Sequence, residues 1–232
     1  MENLTVKIEG DQKELLIRTG DALPAKEPKI INITGNILAP GAWLKIRSCE
    51  PSEDNVQYSR NDMKIIFVQS EENHYNKTII GKLELNEDLK RFSINTEKMW
   101  TTAELAKFLK MNRLFFADAD QCGKIIVELN SLKAKIQTEI EQSQNDRGNS
   151  KSMVNTKIES NIPLKFKLKL PVFIGFATKT FVVEICLETS SAGVQLWLES
   201  AELNEIIIGE RDRILDAEIA KFVKAGLPVI EY

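Results

Sequence analysis

The sequence predicts an α+β protein: antiparallel sheets, a long central helix, and a C-terminal helix packed on a C-terminal meander. Three observations predict it. Apolar and polar residues alternate through residues 1 to 95 and again after residue 164, the period of a half-buried strand. Between residues 101 and 143 the apolar spacing changes to three and four, the period of a helix face. Near the end, Gly226 followed by Pro228 supplies a helix stop, because glycine accepts the left-handed C′ conformation and proline cannot continue a helix.

The early strands are Leu4 to Ile8, Glu14 to Arg18, Lys29 to Thr34, Lys64 to Val68 and Lys77 to Leu85, with Ser70 to Asn76 as a polar hairpin tip. Pro40, followed by Ala42, Trp43, Leu44 and Ile46, opens a short helix or ordered turn, since proline suits a first helical position. Thr101 and Glu104 have the spacing of a capping box, and they start a helix carrying Leu105, Phe108 and Leu109 that ends near Asn112. A second helix is predicted from Asp118 to Ser143, with Ile125, Leu129, Leu132, Ile136 and Ile140 as one stripe. At the α-helical rise it is about 39 Å long. Glu139 breaks a heptad reading, so the stripe is expected to pack across a sheet or against a partner helix.

The polar run Gln142 to Ser152 reads as a loop or lobe boundary. Beyond it come three strands: Leu164 to Leu170, Phe181 to Leu187 and Val194 to Leu198, the last two joined by Ser190 to Gly193. They form a meander with one buried face. A helix from Ala201 to Ala225 closes the chain. The expected organisation is a mostly β lobe over 1–95, a helical segment over 96–145, and meander plus helix over 150–232; these are separate lobes or one domain, and the sequence leaves both open.

Of the 232 residues 43% are hydrophobic and 28% charged, ordinary values that place the chain among globular proteins and not among disordered or fibrous ones. A formal charge of -3 argues against a protein that coats duplex nucleic acid with its whole surface. The first residues lack the basic and apolar regions of an export signal, and no apolar stretch is long enough to span a membrane, so residence in the cytoplasm is expected. Cys49, Cys122 and Cys186 are odd in number and scattered, which suits reduced thiols better than a disulfide framework or a zinc site.

No catalytic constellation is visible, and no cofactor or metal site is expected. The single histidine, His74, falls in the predicted polar hairpin tip, which rules out a multi-histidine metal cluster. The glycine-rich phosphate loop, the dinucleotide fingerprint and the hydrolase nucleophile elbow are missing. Asp118-Ala-Asp120-Gln-Cys122-Gly123 begins like a calcium loop, but its fifth position is Cys122 and its twelfth, where a bidentate glutamate belongs, is Leu129. Asp118 and Asp120 are better explained as negative charge at a helix N-terminus.

Lys165, Lys167 and Lys169 alternate onto one face of one strand, about 6.6 Å apart from each to the next at the normal strand rise, close to the phosphate spacing of an extended single strand. With Phe166 or Phe173 stacking on bases they could track a nucleic acid, although both aromatics alternate onto the opposite, core-like face. The plainer reading is a set of lysines that blocks edge-to-edge aggregation. Trp197 falls on the outer face with Gln195 and Glu199, where a helix or a partner subunit commonly covers such a ring; it is an interface candidate.

Trp100 with Phe108-Leu109 and Asn112, Ile162-Pro-Leu-Lys-Phe166 running into Leu168-Lys-Leu-Pro-Val-Phe173 and Gly175, Trp197, and the closing Gly226-Leu-Pro-Val229 together resemble the YfdQ-like family of phage and prophage proteins. The resemblance covers roughly residues 96 to 230 and rests on hydrophobic and proline pattern. It implies a phage-associated setting and assigns no activity to any residue. The function expected is therefore that of a non-enzymatic, homo-oligomeric accessory protein in the host cytoplasm, one that captures a single-stranded nucleic acid, a nucleotide signal or a host defence protein. A structural assembly protein, with Trp197 and the central helix at subunit contacts, is the alternative. A metal-dependent nuclease using Asp118, Asp120 and Glu128 is the second alternative.

Overall fold

The computed structural model describes residues 30–46, 53–71, 75–145, 165–190 and 193–232, with side chains omitted at a few of these, among them 133–145. The predicted strands Leu4 to Ile8 and Glu14 to Arg18, together with Cys49 and His74, lie outside the described residues, as do the side chains of Ile136 and Ile140 and most of the run Gln142 to Ser152.

The fold is α+β. Its elements run β1 (Ile30–Asn36), α1 (Ala39–Ile46), β2 (Asn55–Ser59), β3 (Lys64–Glu71), β4 (Tyr75–Lys82), α2 (Glu87–Phe92), α3 (Thr102–Met111), a 3-10 turn (Arg113–Phe115), α4 (Ala119–Asn145), β5 (Lys165–Pro171), β6 (Thr178–Ser190), β7 (Gly193–Glu199), α5 (Ala201–Lys224) and β8 (Val229–Glu231). They build a five-stranded sheet in the order β1-β4-β3-β2-β8 and a three-stranded sheet in the order β5-β6-β7.

The three-stranded sheet is the predicted antiparallel meander. The larger sheet is mixed: β2, β3 and β4 pair antiparallel, whereas β1 joins β4 and β8 joins β2 in parallel. Parallel neighbours need a crossover, and the chain supplies one from β1 to β4 through α1, β2 and β3 and another through everything between β2 and β8. The three residues of β8 carry little strand signal of their own; their pairing with Val56, Gln57 and Tyr58 makes them a strand. Arg60 fastens this end of the chain, reaching Asp212 at 3.2 Å, Asp216 at 2.6 Å and Glu231 at 3.3 Å.

Helix limits follow local chemistry. Thr101 Oγ1 accepts from Glu104 N while Glu104 Oε2 accepts from Thr101 N, the reciprocal capping box expected from the spacing. Asn86 caps α2 by accepting from Asp88 N and Leu89 N. α5 stops at Gly226, whose φ of +78° is the left-handed turn that glycine takes without strain. α1 lies close on the larger sheet because Gly81 has no side chain: a Cβ there would sit 2.6 Å from Pro40 Cδ.

One hydrophobic core joins both sheets. Phe67 meets Phe222 of α5 with ring centroids 5.6 Å apart, Phe116 stacks on Phe166 at 5.0 Å, and Trp100 lies against Phe108 at 4.8 Å. The α4 stripe is buried at Ile125, Leu129 and Leu132, so this part of it packs within the chain. α5 begins against β6 and then continues onto the larger sheet, where its Phe222 meets Phe67.

Candidate docking face and pocket

β5 reads Lys-Phe-Lys-Leu-Lys-Leu-Pro, and its residues alternate exposed and buried as period two requires. Phe166, Leu168 and Leu170 enter the core; Lys165, Lys167 and Lys169 stand on the opposite face. Register fixes what shares that face. Lys165 pairs with Glu184, which pairs with Glu199; Lys167 pairs with Val182, Lys169 with Thr180, Cys186 with Trp197, and Glu188 with Gln195. The outer face therefore has a basic side on β5 and an acidic side on β6 and β7.

Lys165 is neutralised by Glu184 at 2.6 Å, an exposed pair worth roughly 0–1 kcal/mol. Lys167 and Lys169 are exposed and make no ion pair among the described residues. Phe166 and Phe173 are each only 1% exposed, so neither ring can stack on a base; they are core.

The β5 edge is bonded at Lys165 and Lys167. Ala117 N donates to Lys167 O at 2.9 Å, and Gln121 both donates through Nε2 to Lys165 O at 3.0 Å and accepts through Oε1 from Lys167 N at 3.2 Å. The opposite edge is covered too. Trp100 and Leu196 exchange two backbone hydrogen bonds, and Asn95 N donates to Leu198 O at 2.9 Å. With bonds at both edges, what this sheet leaves open among the described residues is its face.

At the acidic side the face turns into a pocket of about 460 Å³ lined by Asn95, Thr96, Glu97, Trp197, Glu199, Ser200, Ala201 and Asn204. Its walls are built by the junction of β7 with α5. Ser200 caps α5 by accepting from Leu203 N at 3.0 Å, and its hydroxyl donates to Val182 O at 2.5 Å. Val182 N donates in turn to Glu202 Oε2 at 2.8 Å, so side chains of the helix start continue the ladder where β7 ends. Asn95, at φ +57°, adopts the left-handed conformation that asparagine tolerates better than most residues. Its amide joins the helix start, donating to Ser200 O at 2.8 Å and Asn204 Oδ1 at 2.9 Å and accepting from Ser200 N at 2.8 Å.

Trp197 is half-buried at the pocket rim, with Nε1 donating to Glu199 Oε1 at 2.7 Å. The indole is thus fixed in orientation while part of its ring stays accessible, the condition for an anchor in a binding surface. Two carboxylates, an indole, two amides and hydroxyls line the pocket, with no basic side chain among them. Beside it the Cys186 thiol is pushed up to about 11, first by burial and then by Glu199, which favours its protonated form.

The other sequence candidates lie at the start of α4. Asp118 Oδ1 accepts from Asp120 N at 2.9 Å at the start of α4, a local helix-start bond. Cys122 is buried, its Sγ 3.7 Å from Leu109 O, and burial raises its pKa. Among the described residues no three of His, Cys, Asp and Glu gather as metal ligands, and no helix is long and apolar enough to cross a membrane. Sequence reading missed the pocket beside Trp197, because Asn95 and Asn204 are far apart in the chain and an isolated asparagine carries no motif. No known family profile, curated protein or solved structure matches the chain.

Proposed function

We propose that this protein is a non-enzymatic binding protein that captures a partner protein on the outer face of the β5-β6-β7 sheet. Trp197 anchors the contact, and the opposed charges of β5 and β7 set its orientation. The observation that carries this reading is the half-buried, hydrogen-bonded Trp197 beside a pocket on a sheet face that no described element covers. Aromatic anchors surrounded by polar rims carry most of the energy in protein interfaces. Segregated charge favours fast, oriented encounter. We further propose a phage-associated setting, in which the partner is a host protein and sequestration is the outcome.

Co-purification from the cells that express the chain tests it. Wild type is expected to retain a stoichiometric protein that Trp197→Ala, and separately Lys167→Glu with Lys169→Glu, release without lowering the melting temperature. Retention unchanged in all variants would defeat the reading.

A second reading has its own observation. Lys167 and Lys169 are exposed and without ion partners among the described residues, as a phosphate track needs. Fluorescence anisotropy with a labelled twenty-nucleotide thymidine strand separates the two: saturable, salt-sensitive binding lost in the double lysine variant would favour nucleic acid. The carboxylates Glu184, Glu188 and Glu199 on the same face weigh against it.

A further inference from the structure

The outer side of the α3–α4 hairpin carries exposed apolar residues unrelated to the sheet face. Leu114 is 86% exposed, Met111 77% and Val127 65%. Val127 lines a groove of about 720 Å³ together with Lys110, Arg113, Gly123, Lys124 and Glu128, and Met111 and Leu114 adjoin Lys110 and Arg113 in sequence. On α4 the buried stripe is Cys122, Ile125, Leu129 and Leu132. At 100° per residue, Gly123, Lys124 and Val127 fall on the opposite side, with Glu128 on the same flank as Lys124. No side chain crowds Gly123, since a Cβ there would meet nothing within 4 Å.

We propose that this surface is where a second copy of the chain docks, α4 against α4, antiparallel about a two-fold axis near Ile126. The patch is self-complementary in charge. In an isologous contact the same patch meets itself, so opposite charges placed symmetrically about the two-fold axis attract twice. Lys124 and Glu128 satisfy this: they are equidistant in sequence from Ile126, and an antiparallel copy sets Lys124 of each chain against Glu128 of the other, twice. Val127 then packs at the axis, and open space over Gly123 lets the helices approach. Length fits as well. α4 has 27 residues and α3 has 10, so α4 extends about 25 Å beyond what α3 can cover at 1.5 Å per residue. The second copy's helix then runs on past Met111 and Leu114 of the first.

Sedimentation velocity on the full chain tests this with a charge swap. Wild type is expected to be a dimer at about 10 μM, and Val127→Glu a monomer with unchanged circular dichroism, since the site is exposed. Lys124→Glu alone and Glu128→Lys alone should each weaken the dimer at least tenfold, and the two together should restore it to within about threefold. Trp197→Ala should leave it intact. A wild-type monomer at 100 μM would overturn the proposal, and so would a dimer indifferent to Val127→Glu, single variants without rescue, or dissociation by Trp197→Ala.

Discussion

Asn95 and Ser200 hold each other by two hydrogen bonds, Asn95 Oδ1 accepting from Ser200 N and Asn95 Nδ2 donating to Ser200 O, both at 2.8 Å. The pair ties the loop before α3 to the start of α5 and forms one wall of the Trp197 pocket. Asn95→Ala removes these bonds and places alanine at a φ of +57°, so a loss of roughly 1–3 kcal/mol is expected in urea unfolding. Asn95→Gly should lose less, because glycine accepts the backbone conformation.

Glu210 links β6 to α5. Arg213, and then Lys179 at 2.8 Å, hold its carboxyl at about 2, below the ordinary 4.5 of an unfolded chain. A lowered folded value means that this contribution is complete above about 4.5 and disappears as the pH falls through about 2. Unfolding free energy measured from pH 6 to 2 should therefore fall less steeply in Glu210→Gln than in wild type, with the variant less stable at pH 6.

Two glycines should respond oppositely to alanine. At Gly81 a Cβ would lie 2.6 Å from Pro40 Cδ and 3.0 Å from Asn36 O, so Gly81→Ala must push α1 off the sheet, at about 1–3 kcal/mol. Gly209 lies inside α5 with nothing within 4 Å of such a Cβ. Gly209→Ala should raise stability by about 0.5–1 kcal/mol. Thermal melts of the two variants check both signs.

Cys186 reports on the face directly. With its thiol at about 11 against an ordinary 9.0, the thiolate fraction at pH 8 is on the order of 100-fold below that of a free cysteine. Alkylation by iodoacetamide should be correspondingly slow. Burial is the larger cause and Glu199 the next, so Glu199→Gln should accelerate the reaction only in part.

Much of this fold is written in local pattern. β5 alternates strictly, Thr101 and Glu104 have the spacing of the cap they form, and Gly226 stops α5 where a left-handed residue is required. Two strands that escaped reading, β2 and β8, depend on distant partners. β2 has the burial pattern of an inner strand without clean alternation, and β8 is a strand only because Val56 to Tyr58 lie beside it. The site divides in the same way. Lys165, Lys167, Lys169 and Trp197 were legible as outward residues by period two, whereas their opposed charges follow from register, which brings Glu184 beside Lys165 and Glu199 beside Glu184. The pocket required Asn95 and Asn204 to meet across the fold, and nothing in the residues around either one announces the other.

The claim that the outer sheet face captures a protein is tested most directly by photocrosslinking in the cells that express the chain. A benzophenone amino acid replaces Gln195, exposed beside Trp197, and in a control Ala217, exposed on α5. The expected result is one discrete adduct from position 195, absent from position 217, that vanishes when Lys167 and Lys169 are reversed to glutamate. Adducts equal at both positions, or none from position 195, would contradict it.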